Sequence, residues 1–242
     1  MKRLLDFFTA LFGLIIGSVV LVPTMIAVWL QDYHSPFYVA PRVGKNGRLF
    51  HMVKLRSMAV NADKNGVDST GANDMRITAV GHFIRRYKLD ELTQLWNVLI
   101  GNMSLVGPRP NVKRETDLYT PLEKELLSVK PGITDFASIV FSDEGEILKD
   151  KVDPDIAYNQ LIRPWKSRLG LFYIKRQNIF LDFSLVFLTV VAILSRQRAL
   201  SKINKILTHL SAEPDLVRAA LRQDCLVPMP PPGAAEIVTT RG

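Results

Sequence analysis

The sequence predicts an α/β chain, mostly helical with one small β-hairpin, whose N-terminus is embedded in a membrane. Three observations carry this. Residues 4–30 are apolar, and the part from Phe7 onward is about as long as the ~20 residues a spanning helix needs. Asn46-Gly47, a strong hairpin signal, lies between two runs rich in strand formers, Phe37–Val43 and Leu49–Leu55. Leu92, Leu95, Trp96 and Leu99 follow the i, i+3, i+4, i+7 spacing of an amphipathic helix.

Charge points to the kind of partner. The 242 residues carry a formal charge of +8 and a pI near 9.6, which favours polyanions: nucleic acid, anionic headgroups or phosphorylated small molecules. Up to residue 60, seven basic residues (Lys2, Arg3, Arg42, Lys45, Arg48, Lys54, Arg56) face two acids (Asp6, Asp32), and they flank the most apolar segment. A membrane surface therefore fits better than nucleic acid, for which no recognition motif is present. Cys225 is the only cysteine, which excludes an internal disulfide and a cysteine-based metal cluster. His34, His51, His82 and His209 show no metal-ligand spacing.

The apolar segment is too long for a signal peptide, and no small-x-small cleavage site follows it. Pro23 lies inside it. Its ring clashes with the carbonyl of Val19, so a kink or break is expected there. Basic residues on both flanks favour a cytoplasmic location for each end. A re-entrant helix satisfies both flanks, and a Pro-containing spanning helix satisfies the length.

Beyond Tyr33 the composition becomes globular. The hairpin places Lys54 and Arg56 at the end of its second strand. Residues 57–75 are polar, with Asn65-Gly66 and Gly71, and read as a loop, either a lid or disordered. A short helix over 78–87 brings Arg85 and Arg86 towards Asp90. Further helices are expected over 121–130, ended by Pro131-Gly132, and over 155–169. Residues 183–194 are apolar but too short to span, and fit a buried or interface-lying helix flanked by Lys175, Arg176, Arg196 and Arg198. Residues 199–222 hold an amphipathic pattern, and the Pro-rich tail beyond Cys225 reads as disordered. The chain thus divides into residues 1–33 in the membrane, a domain over 34–198, and an extension over 199–242.

Asp90 and Glu91 stand directly before the Leu92 helix. Locally, Asp90 is a good N-cap, and both acids complement a helix dipole. A helix N-terminus also attracts anions. With Arg85, Arg86, Lys88 and Arg109 nearby, the two acids could hold a divalent cation that in turn holds a diphosphate. Adjacent helical side chains point about 100° apart, so the two acids would have different roles. Pro108 and Pro110 stiffen the backbone around Arg109, whose planar fork suits phosphate oxygens.

These motifs in order resemble the bacterial sugar transferases, monotopic phosphoglycosyl transferases acting on polyprenol phosphate. The matching stretches are Pro41-Arg42-Val43-Gly44, Lys54-Leu55-Arg56-Ser57-Met58, Asp74-Met75-Arg76-Ile77-Thr78 and Leu89-Asp90-Glu91-Leu92. Further on come Gln94-Leu95-Trp96-Asn97-Val98-Leu99, the run 103–110 ending in Pro108-Arg109-Pro110, and Pro131-Gly132-Ile133-Thr134. The resemblance implies a monotopic membrane protein with a re-entrant N-terminal helix broken at Pro23, and a catalytic domain on the cytoplasmic face of the bacterial inner membrane. It implies that Asp90 attacks the sugar-bearing phosphoryl group of a UDP-sugar, that UMP leaves, and that undecaprenyl phosphate takes the phosphosugar. It gives Glu91, together with Asp90, to Mg²⁺ and Arg109 to phosphate. Lys54, Arg56, Arg85 and Asn97 complete the expected substrate-binding set. Departures include Val22 before Pro23, leaving Ser18 or Thr24 to compensate the broken backbone, Thr93 after Asp-Glu-Leu, and Asp135-Phe136-Ala137 after Pro-Gly-Ile-Thr. A catalytically idle scaffold for glycan assembly is the competing reading. The sugar, the pathway and the oligomeric state, with a homodimer among the options, are left open.

Overall fold

The apolar N-terminal segment forms one helix, α1 (Lys2–Asp32), in the computed structural model, which describes residues 2–62 and 74–240. Its buried residues Asp6, Ala10, Leu21, Thr24 and Val28, with Gly13 and Gly17 between them, recur every three or four positions and so form one stripe. Small residues let this stripe approach closely: a Cβ on Gly13 would lie 2.8 Å from Leu95 Cδ1. The other faces stay apolar and exposed, with Leu4, Phe12, Ile16 and Val19 all more than half accessible.

The expected break at Pro23 is not a gap in the helix. Helical structure runs through it, and Thr24 donates its hydroxyl to the Val20 carbonyl at 2.7 Å, while Ser18 bonds Ile15. Both ends of α1 are tied to one domain. Lys2 Nζ bonds Val106 O, Tyr173 Oη and Asp182 Oδ2 (3.0, 2.9 and 2.6 Å), and Asp6 accepts from Ser104 Oγ and Leu105 N. At the far end Asp32 takes both terminal nitrogens of Arg56, at 2.6 and 2.7 Å.

The hairpin follows with the expected bounds, β1 (Phe37–Val43) antiparallel to β2 (Leu49–Leu55). Asn46 (φ 55°) and Gly47 (φ 76°) take the left-handed conformations that the tight turn requires. Most of the polar loop expected over 57–75, residues 63–73, lies outside the described residues; its ends meet through a Met58–Ile77 bridge. Next comes α2 (Ala79–Arg86), capped by Thr78 Oγ1, which accepts from Gly81 N at 2.9 Å.

The single helix expected from Leu92 is instead two short turns, α3 (Leu89–Leu92) and α4 (Leu95–Leu99). Thr93 lies between them, its hydroxyl reaching both the Asp90 and Val53 carbonyls. A second sheet pairs β3 (Ser104–Val106) in parallel with β4 (Gly132–Thr134). Between them are α5 (Lys113–Asp117) and a 3₁₀ turn over Glu123–Ser128.

The remainder is helical: α6 (Phe136–Val140), α7 (Glu144–Ile147), α8 (Pro154–Ala157), a π turn over Tyr158–Ile162, α9 (Arg163–Arg176), α10 (Ile179–Leu194), α11 (Arg196–His209) and α12 (Pro214–Leu221). One core joins α4, α6, α9, α10 and α11 through residues such as Val98, Phe136, Leu169, Leu185 and Leu200. A smaller core sets Leu21 and Val28 of α1 against Leu55, Ile84 and Leu89.

The tail differs from the disorder its composition suggests. Met229 N donates to Gln160 O, Gln160 Nε2 to Val238 O, and Thr120 Oγ1 to Pro232 O. Proline lacks a backbone donor, yet its carbonyls still accept, and so this segment docks as an extended strap.

Candidate active site

A cleft of about 670 Å³ opens between the end of β2, the α2–α3 corner, the Pro108-Arg109-Pro110 turn and the start of α6. Its volume is in the range of small-molecule sites. Lys54, Arg85, Asp90, Glu91 and Arg109 all line it, as do Arg42, Arg86 and Lys88.

Local backbone geometry explains the aim of the acids. Lys88 occupies the cap position of α3 with φ 52°, an uncommon conformation for a side-chain-bearing residue. Asp90 is therefore the second residue of a four-residue turn, and not the N-cap expected from sequence. No long helix dipole lies behind it. Its carboxylate makes no hydrogen bond to a described residue; the nearest cation, Lys54 Nζ, stands 3.8 Å from Oδ2. Lys54 loses water in this position, which pulls its ammonium below the usual lysine range although Asp90 opposes the shift.

Glu91 is held firmly. Arg109 Nη1 donates to its Oε1 at 2.8 Å, and Lys88 Nζ is 4.0 Å from the same oxygen. Burial pushes this carboxyl up, but the charges of Arg109 and Lys88 and the Arg109 hydrogen bond outweigh it and hold Glu91 at about 2. No hydrogen bond falls on Oε2. Arg109 is raised by Glu91 in return, so the pair is ionised. Among the described residues, Nη1 of this guanidinium bonds Glu91 and Ile133 O (3.2 Å), and Nη2 and Nε bond none.

The sheet missed by sequence reasoning fixes that arginine. Gly107 N donates to Thr134 O and Gly132 N to Pro108 O, each at 3.0 Å. Gly107 and Gly132 press backbone against backbone: a Cβ on Gly132 would lie 2.1 Å from Gly107 N. Three-residue strands carry no readable alternation, but two glycines next to prolines in separate motifs are the signal that could have found them.

Two expected residues lie outside the cleft. Asn97 is fully buried, with Oδ1 accepting from Val53 N (2.9 Å) and Nδ2 donating to His51 O (2.7 Å), so it clamps the edge of β2. Arg56 is buried against Asp32 and Ser35 O, where it anchors the end of α1. The far wall holds residues not anticipated as a site: Asp135, Ser138, Tyr119, Tyr158 and Arg163. Arg163 is fixed by Glu123 at 2.6 and 3.0 Å, and burial raises the Asp135 carboxyl although Ser138 hydrogen-bonds it.

The arrangement thus presents one carboxylate without a hydrogen bond from a described residue, one ionised by a guanidinium, and cationic side chains around both. The family model described as bacterial sugar transferase matches residues 1–196 of this chain. The protein belongs to that family. Among its relatives, the UDP-N-acetylgalactosamine-undecaprenyl-phosphate N-acetylgalactosaminephosphotransferase of Aeromonas hydrophila is 31% identical over 199 residues, covering 80% of this chain and 44% of its own length. The UDP-glucose:undecaprenyl-phosphate glucose-1-phosphate transferase of Xanthomonas campestris pv. campestris is 37% identical over 195 residues, 76% of this chain and 38% of its own. EpsL of Bacillus subtilis, an uncharacterized sugar transferase, is 34% identical over 194 residues, 80% of this chain and 87% of its own. The chain therefore spans less than half the length of the first two relatives. Their names carry different sugars, so this similarity leaves the sugar open.

Proposed function

We propose that this family member is a phosphoglycosyl transferase that moves sugar-1-phosphate from a UDP-sugar to undecaprenyl phosphate, as the first membrane step of bacterial glycan assembly. The observation that carries this reading is the free Asp90 carboxylate beside an ionised Glu91–Arg109 pair whose remaining guanidinium donors are open. An Asp90 oxygen attacks the sugar-bearing phosphorus of the diphosphate. The bond from that phosphorus to the bridging oxygen breaks, and UMP leaves with the electron pair. A phosphate oxygen of undecaprenyl phosphate then attacks the same phosphorus and releases Asp90. Lys54, Arg85 and the unused Nη2 and Nε of Arg109 suit the phosphate oxygens.

The residues also fit Mg²⁺. This ion is usually held by one or two carboxylates plus substrate phosphates, and Asp90 with the unbonded Oε2 of Glu91 supplies that set. When bound, it would neutralise diphosphate charge next to a carboxylate nucleophile.

We further infer that α1 is re-entrant, with the domain on the cytoplasmic face of the inner membrane. At 31 residues α1 is about 46 Å long, and a helix crossing the bilayer would put Lys2 and Asp32 on opposite sides. Yet Lys2 bonds Val106 and Asp182 while Asp32 bonds Arg56, all in one domain that packs along the helix. Pro23, which cannot donate to the Val19 carbonyl, is where a bend of the inserted helix would form, although the helix runs through it here.

The test is direct. Detergent-solubilised protein is incubated with Mg²⁺, undecaprenyl phosphate and a panel of UDP-sugars, and UMP is measured. Release with one donor is expected; silence with every donor would leave the idle scaffold as the better reading.

A further inference from the structure

The helix α10 has two apolar faces. Leu181, Leu185 and Leu188 are buried in the core, while Phe180, Phe183, Phe187, Val190 and Leu194 form a second stripe that is exposed, Phe180 and Leu194 by 80% and 83%. Among the described residues, none covers this second stripe. The start of α10 is anchored to the start of the membrane helix, where Lys2 is bonded to Asp182.

The next helix adds charge to that stripe. α11 begins at residue 196, where the match to the family ends, and folds back: Phe187 is eight residues before Ser195 and Lys202 seven after, yet Lys202 Nζ sits 5.6 Å from the centre of the Phe187 ring. Ala199, Leu200, Ile203 and Leu207 face the core. Arg198, Lys202 and Lys205 occupy the opposite face, exposed and with no ion pair to an acid among the described residues, and α11 contains no Asp or Glu. Arg196, by contrast, is paired with Asp143 at 2.9 Å.

We propose that the outer faces of α10 and α11 form one lipid-docking surface, in which the aromatic stripe enters the acyl boundary and the α11 cations select anionic headgroups. Lys202 sets its ammonium over the edge of the aromatic stripe, and Arg198 and Lys205 are exposed on the same face of α11, so a cationic face adjoins an apolar one as in an interfacial helix. Each such residue near an anionic surface strengthens partition by roughly fivefold. The proposal rests on the membrane reading above but is separable from it.

The test uses the whole chain with its lone cysteine removed (Cys225→Ser) and a polarity-sensitive fluorophore on Ser201→Cys, reconstituted in vesicles of phosphatidylcholine alone or mixed with phosphatidylglycerol. Emission is expected to shift to the blue, and iodide quenching to fall several-fold, only in the anionic vesicles. The Arg198→Gln/Lys202→Gln/Lys205→Gln variant is expected to lose both effects while still floating with the vesicles. Equal quenching in the two lipids, or a triple variant that behaves like the parent, would overturn the inference. So would lipid-independent protection that disappears on dilution, which would mean a second copy covers the stripe. Failure to float with either vesicle would instead overturn the membrane reading along with it.

Discussion

Replacing Arg109 by methionine isolates the electrostatic centre of the cleft. Glu91 is held at about 2 against an ordinary value of 4.5, chiefly by Arg109 against the opposing effect of burial. A carboxyl lowered that far in the folded state corresponds to about 3 kcal/mol of stabilisation. Because the folded value is the depressed one, this contribution is fully present above about pH 4.5 and is lost as pH falls towards 2. Lys88 and Lys54 remain in the variant and retain part of it, so Arg109→Met is expected to cost about 2 kcal/mol at pH 7. In a chain of this size that lowers Tm by about 4–8 °C. Thermal unfolding in detergent at pH 7, 5, 4 and 3 checks it. The gap between parent and variant should be constant down to about pH 5 and then narrow. A gap of the same size at pH 7 and pH 3 would refute the argument, since it would mean that Arg109 acts through packing alone.

Other outcomes follow from single contacts. Asn97→Ala leaves Val53 N and His51 O without their partner inside the protein, and should cost about 2–4 kcal/mol in thermal unfolding while KM for the UDP-sugar stays unchanged in the folded fraction; a raised KM with normal stability would restore Asn97 to the substrate site. Gly132→Ala drives a Cβ into the backbone of Gly107 and should abolish soluble, monodisperse protein, as judged by size exclusion; a well-behaved variant would show that β3 and β4 can separate. Gly13→Leu should unseat α1 from Leu95, read as faster proteolysis between α1 and the hairpin, and unchanged protection would contradict the close approach.

What the sequence revealed and what it concealed have physical reasons. The hairpin bounds were legible because Asn46 and Gly47 accept the positive φ that the connection over 44–48 needs, between two runs of strand formers. The stretch around Asp90 was legible in chemistry but not in shape. Helical spacing over Leu92 to Leu99 is real, yet Thr93 diverts a hydroxyl to Val53 and Asp90, and Lys88 takes the cap position in a left-handed conformation that local propensity does not suggest. Asp90, Glu91, Lys54, Arg85 and Arg109 do converge in the cleft, whereas Arg56 and Asn97 share motifs with them but are spent on Asp32 and on the backbone of β2. A motif records which residues occur together and not which face each side chain uses. Likewise, proline-rich composition concealed the strap at 229–238, because its backbone, through Met229 N and the carbonyls of Pro232 and Val238, makes the contacts and no periodic apolar face does.

The account stands or falls on the covalent step at Asp90. Intact-protein mass spectrometry after incubation with a turnover-competent UDP-sugar and Mg²⁺, without undecaprenyl phosphate, should show one added phosphosugar on the parent and none on Asp90→Asn. Adding undecaprenyl phosphate should discharge it. An adduct that persists in Asp90→Asn, or turnover by the parent with no adduct before lipid is added, would contradict the assignment of Asp90 as nucleophile.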